Sequence, residues 1–177
     1  LVERGCLLTG IADEGGWGPL LPRNADALDV LTQAIEKTGF RPGEQVSIAI
    51  DAATSHFYRE GRYHLRSEDR WLEAGELVMM YADWIDRYPV VSIEDGLDQN
   101  DWDGWRAMTA TLGDRIQVLG DDFLTTNPGR LRRAIEERAA NAVLVKMNQI
   151  GTLTETFEVL DLAKDAGFRA VVSARSG

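Results

Sequence analysis

Six short apolar runs in this chain carry a charged side chain at or just past their ends. LLTGIADEGG carries Glu14, VSIAIDAA carries Asp51, VVSIEDG carries Glu94, IQVLGDDF carries Asp121, AVLVKMNQIG carries Lys146 and AVVSARSG carries Arg175. Each alone has an ordinary explanation, since an acid after a strand commonly caps a helix or holds a turn. Together they describe a chemistry. Asp51, Glu94 and Asp121 offer oxygen ligands only, and crowded carboxylates hold one another's protons, so a hard divalent cation is expected between them. Mg2+ suits a few carboxylates supplemented by water and substrate oxygens. Lys146 lies in an apolar run that ordinarily tolerates no ammonium. Beside a bound cation and partly desolvated, it is a candidate base in its neutral form. The plainer alternative is a lysine paired with Asp121. Glu14 stands next to two glycines that allow close backbone approach. Arg175 and Ser176 supply a forked donor and a hydroxyl, which suit a phosphate or carboxylate. The sum is metal-assisted removal of a proton next to a carboxylate, with an acid helping a leaving group depart.

These residues meet only if the runs are parallel strands whose ends face one way. Helical stretches with recognisable ends separate the runs. Asn24 is read as the cap of a helix carrying Leu28, Leu31 and Ile35 and stopping at Gly39. Leu77, Tyr81, Trp84 and Tyr88 recur at helical spacing and end at Pro89. Asn127 with Pro128 reads as a cap with proline at the first helical position. Thr152 with Glu155 reads as a capping box. Strands alternating with helices imply right-handed βαβ units and a covered parallel sheet. The longest interval, between Asp51 and Glu94, holds FYREGRYHL, residues 57 to 65, read as a hairpin turning at Glu60–Gly61. The fold class is therefore α/β, one domain over residues 1–177, and a partial TIM-type (β/α) barrel with all six runs as barrel strands. In such a barrel the site lies at the C-terminal strand ends. A doubly wound open sheet fits less well, because no G-x-G-x-x-G follows the first strand.

Composition narrows the partners. With 29 Asp and Glu against 19 Lys and Arg, the formal net charge is -10, which argues against nucleic acid as the main partner. One cysteine, Cys6, excludes an intrachain disulfide, suits a reducing compartment and is expected to be buried and inert. No run reaches the roughly 18 apolar residues of a membrane span and no leader opens the chain, so a cytoplasmic protein with no membrane span is expected. The first residue is Leu and the last strand runs straight to the end, so an internal piece of a longer protein is expected. The RLRR run at 130 to 133 alternates with Glu136 and Glu137 and reads as a solvated helix face. Trp84, Trp102 and Trp105 are expected to pack or rim the domain, and Trp17 to shape the mouth near Glu14. His56 and His64 read as structural or surface residues.

The motifs resemble those of the enolase family, the phosphopyruvate hydratases. ADEGG is similar to the family's GDEGG, AIDAATSHFY to its strand-end Asp motif, and SIEDGLDQNDW and LGDDFLTTNP to the next two. LVKMNQIGTLTE is similar to its lysine motif and VVSARSG to the start of its phosphate loop, so the likeness runs from about residue 7 to 177. A lysine base working with magnesium is the chemistry already known for that superfamily. The resemblance implies that Glu14 is the proton donor and Lys146 the proton acceptor, with Asp51, Glu94 and Asp121 on the first Mg2+. It places Lys146, Arg175, Ser176, Glu94 and Asp121 against substrate, a phosphorylated hydroxy acid: 2-phosphoglycerate, dehydrated to phosphoenolpyruvate in glycolysis. It further implies a homodimeric parent, an enolase C-terminal barrel incomplete at both ends, an N-terminal domain absent from this chain, and an inactive isolated fragment. Two positions depart from the pattern. Ala174 stands where the family's S-H-R-S-G has histidine, and His56 where it has glutamate. Two other expectations therefore stand beside the first: a paralogue with a changed substrate, similar to a carboxyphosphonoenolpyruvate synthase, and a non-catalytic enolase-fold binding protein.

Overall fold

The computed structural model of the chain describes residues 1, 5–6, 8–11 and 15–175. Strands β1 (Leu8–Ile11) and β2 (Trp17–Pro19) form an antiparallel pair. Helix α1 (Asn24–Lys37) leads to β3 (Ile48–Asp51), followed by β4 (Tyr58–Arg59), β5 (Arg62–Leu65) and β6 (Arg70–Leu72) in a small antiparallel sheet. Then come α2 (Ala74–Arg87), β7 (Val90–Glu94), α3 (Trp102–Leu112), β8 (Gln117–Gly120), α4 (Pro128–Glu137) and β9 (Ala142–Val145). A short α5 (Met147–Ile150), α6 (Leu153–Asp165) and β10 (Arg169–Val172) complete the order. The main sheet is parallel, with β3, β7, β8, β9 and β10 side by side in chain order, and it does not close into a barrel.

Five of the six apolar runs therefore supply the sheet, not six. The first run spends its backbone bonds on β2, with Ile11 opposite Trp17, rather than on β3. A tight antiparallel return is closed locally, whereas a parallel neighbour for β3 requires a crossover. Trp17 accordingly lies on this pair and is 56% exposed. The hairpin turns at Glu60 and Gly61, both at positive φ (52° and 82°), as a two-residue primed turn requires.

Register shows why the sheet has two unlike faces. Ile50 pairs with Ile93 and Ile93 with Val118, while Gly120 pairs with Val143 and Val143 with Ala170. Ile93, Val118, Val143 and Val145 belong to the large core shared with the helices. Side chains alternate along each strand, so the residues between them face the other way. On that second face lies a separate small cluster of Leu119, Ala142 and Leu144 with Val171 against it. Ser92 donates to Gln117 there at 3.1 Å, and Asp51 and Glu94 share the same face.

Helix ends follow local chemistry with one shift. The N-cap of α1 is Arg23, one residue before the expected Asn24, because the Asp26 carboxylate accepts the Arg23 backbone N–H at 3.0 Å and Asn24 instead bonds Glu68. In its stripe Leu28 is buried but Leu31 is 47% exposed, beside a cleft of about 330 Å³ that both share with Ile48 and Ile50 at the β3 edge. Helix α2 buries Leu77, Val78, Tyr81 and Trp84 and stops at Tyr88, before Pro89. Asn127 accepts the Arg130 N–H at 3.0 Å to cap α4. Thr152 accepts the Glu155 N–H at 3.2 Å, and the Glu155 carboxylate returns to the Thr152 hydroxyl rather than to its backbone. Cys6 is half-buried. Among the described residues no helix is long and apolar enough to cross a membrane.

Candidate active site

Strand register places the acids. Asp51 and Glu94 are direct partners on neighbouring strands, about 4.8 Å apart across the sheet, with side chains on the same face. Glu94 is paired in turn with Leu119, and Asp121 lies two residues further on. Gly120 pairs with Val143, so Lys146 is staggered from Asp121 in the same sense. The stagger carries the charged row diagonally across the sheet at its C-terminal edge. Lys146 Nζ forms an ion pair with Asp121 Oδ2, the two side chains being 16% and 11% exposed.

The electrostatics record this crowding. Burial pushes the Glu94 carboxyl up to about 7, and Asp51, Asp121 and Asp95 push in the same direction against Lys146. Asp51 is raised chiefly by burial and then by Asp121 and Asp122, despite the Ala53 N–H that its carboxylate accepts at 3.1 Å. Asp121 Oδ1 is buried with no hydrogen-bond partner among the described residues. An unsatisfied buried carboxylate oxygen is costly, and beside two other acids it is the place a cation satisfies best.

Two further expected residues, Glu14 and Ser176, lie outside the described residues. Arg175 follows β10 at the same end of the sheet, three residues past its last strand position, with φ 50° and its N–H on Ser173 Oγ at 3.3 Å. Ala174 and Arg175 are exposed, and among the described residues no ion pair joins Arg175 to the acids.

Several residues at this site carried no signal in the sequence. Thr126, fully buried with φ 52°, accepts the Lys146 N–H at 2.9 Å and donates to Gln149 at 3.0 Å, so it holds the lysine's backbone. Gly120 has no room for a side chain, since a Cβ would meet Leu124 Cγ at 2.7 Å. Arg130 does not belong to a solvated face as the RLRR run suggested. It donates from Nε to Phe123 O at 2.5 Å and from a terminal nitrogen to Gln99 O at 2.6 Å, tying the turns after β7 and β8 together beneath the Trp102 ring. Its neighbours do behave as a charged face, with Arg132 on Glu158 and Arg133 on Glu137. Asp95 is buried, and one of its oxygens lies with one each from Asp121 and Asp122 within 4.8 Å of one another, a group that could hold a metal ion. Both Asp95 oxygens, however, accept backbone N–H groups from the Asp121 turn. Asp51 and Glu94 carry no such load from that turn. The IEDG motif could have drawn attention to Asp95, but an Asp-Gly pair after a strand reads first as a turn.

An open parallel α/β sheet with carboxylates and a lysine gathered at its C-terminal strand ends is the architecture of a barrel enzyme site. Residues 2–177 match the family model described as "Enolase, C-terminal TIM barrel domain", and the chain belongs to that family. It is 52% identical over 169 residues to a protein named Enolase 2 of Pseudomonas syringae pv. syringae (strain B728a), covering 96% of this chain. The same figures hold for Enolase 2 of Pseudomonas syringae pv. tomato (strain ATCC BAA-871 / DC3000). The chain spans about 40% of the length of these curated relatives. Family membership implies a divalent metal ion.

Proposed function

We propose that the full-length protein is a magnesium-dependent hydro-lyase that converts 2-phosphoglycerate to phosphoenolpyruvate. The observation that carries the reading is the Lys146–Asp121 pair set beside Glu94 and Asp51, with one Asp121 oxygen left unsatisfied. This donor set fits a hard cation: all oxygen, three carboxylates from adjacent strands, and two of them held above their ordinary range by burial and mutual repulsion. Asp51, Glu94 and Asp121 would hold Mg2+, which when bound supplies positive charge for the substrate carboxylate and for the charge that develops on it.

The remaining work falls to the chain's own groups. Lys146 Nζ, once released from Asp121 and having given up its ammonium proton to solvent, accepts the proton from the carbon next to the substrate carboxylate. The Thr126 bond to the Lys146 backbone keeps that amine at the mouth instead of in the core. Glu14 gives a proton to the departing hydroxyl, and Arg175 with Ser176 clamps the phosphate. Loss of a proton and loss of a hydroxyl make opposite proton demands, which a lysine and a glutamate can meet as separate groups. We place this activity in glycolysis and in the cytoplasm, in a homodimer.

The test is turnover of 2-phosphoglycerate by the full-length protein with Mg2+, followed by absorbance of the enol product. Wild-type turnover that falls by about 10²-fold or more in Lys146→Ala, with Mg2+ binding kept, is the expected result. Magnesium binding without turnover favours a changed substrate, the reading that Ala174 supports, because a methyl at that strand end cannot donate a proton or hydrogen bond. No magnesium binding at all would leave a non-catalytic binding protein.

A further inference from the structure

Asp95 immediately follows β7 in the left-handed region, with φ 45°, a conformation that a residue with a side chain adopts only against steric opposition. That twist lets one residue join its own turn to two others. Its carboxylate faces the turn after β8: Oδ1 accepts from the N–H of Asp121 at 3.0 Å and of Phe123 at 3.4 Å, and Oδ2 from the N–H of Asp122 at 2.8 Å. Its carbonyl faces the turn after β3, accepting the Thr54 N–H at 3.2 Å and the Thr54 hydroxyl at 2.9 Å. Its own N–H donates to Leu119 O at 3.0 Å. Asp95 is 4% exposed and Thr54 fully buried, so these bonds are shielded from water.

The three turns are those that carry Asp51, Glu94 and Asp121. Register alone fixes Asp51 against Glu94, but Asp121 lies beyond the last β7–β8 pair and one residue past the last β8–β9 pair, Gly120–Val143. The Asp95 carboxylate takes over there, holding three successive N–H groups. We infer that Asp95 is a positioning residue which fixes the spacing of the Asp51, Glu94 and Asp121 carboxylates without itself binding the cation. The inference rests on the magnesium reading above.

Magnesium titration calorimetry on the full-length protein separates the two. Asp95→Asn replaces one acceptor by a donor facing an N–H, and its Mg2+ affinity, measured where circular dichroism shows it folded, should fall by about 10-fold or more. Because that variant also removes a charge, Thr54→Val is the companion. It deletes only the hydroxyl on the Asp95 carbonyl, and should weaken Mg2+ in the same direction with no change of charge. A residue that served stability alone would lower the unfolding midpoint and leave the affinity of the folded protein unchanged. Wild-type affinity in both variants, or in Thr54→Val alone, would overturn the inference. So would a magnesium-loaded crystal structure with an Asp95 oxygen about 2.1 Å from the ion. If Asp95→Asn does not fold, Thr54→Val decides. A wild-type protein that binds no Mg2+ overturns the magnesium reading itself, and this inference with it.

Discussion

Glu94→Gln removes the carboxylate that the site least tolerates without a cation. In the metal-free protein Glu94 holds its proton up to about 7, against an ordinary value of 4.5, because burial and then Asp51, Asp121 and Asp95 oppose its charge. Between those two values the folded chain binds more protons than the unfolded chain, so stability falls as pH rises across that window and is fully present below it. At about 1.4 kcal/mol per pH unit the whole effect is about 3 kcal/mol, and solvent at this half-open mouth screens it to about 1–3 kcal/mol. Glutamine mimics the protonated acid and cannot ionise, so the variant lacks this fall. In EDTA, Glu94→Gln should match wild type near pH 4.5 and exceed it by about 1–3 kcal/mol at pH 8. Saturating Mg2+ reverses the order, since a ligand at 100 times its Kd stabilises by about 2.7 kcal/mol and the variant binds it less well. Urea unfolding of the full-length protein at the two pH values, with and without Mg2+, reads all four corners. A difference that is the same at both pH values, or wild type the more stable in EDTA at pH 8, would refute the electrostatic account.

Arg130→Ala should destabilise by about 2–4 kcal/mol in denaturant unfolding, because it strips charged donors from the Phe123 and Gln99 carbonyls and a cation from the Trp102 and Phe123 rings. Arg130→Lys should recover only part of this, since an ammonium cannot fork to both carbonyls. Gly120→Ala should cost about 1–3 kcal/mol, because its methyl meets Leu124 Cγ at 2.7 Å and Phe123 Cδ1 at 3.2 Å in a core without slack. The displaced turn carries Asp121, so the same variant should bind Mg2+ more weakly by calorimetry, while a surface change such as Asp103→Asn should leave binding at wild type.

The parallel strands were legible because each apolar run is short and bounded, and because Pro128, Asn127 and Thr152 sit where helix ends need them. Glu94, Asp121 and Lys146 were legible because a charge at the end of a buried run has few uses. The fate of the first run was not, since LLTGI is as apolar as its peers and only the pairing of Ile11 with Trp17 takes it out of the sheet. Arg130 was misread for a related reason. Charge alternation along a helix describes its neighbours, whereas the two carbonyls Arg130 meets come from residues 7 and 31 positions away.

By itself the sequence determined which side chains the strand ends bring, since period and caps are local properties and a charge inside an apolar run stands out without coordinates. Only the tertiary structure decided how those charges meet. Whether Asp121 faces Lys146, whether Glu94 is pressed by Asp51, and which buried acid serves as a brace depend on strand stagger and on turns whose hydrogen bonds join residues 26 to 41 positions apart. Asp95 and Glu94 are adjacent in the chain and chemically alike. The left-handed twist between them sends one toward backbone N–H groups and leaves the other at the mouth, and that choice is made by packing.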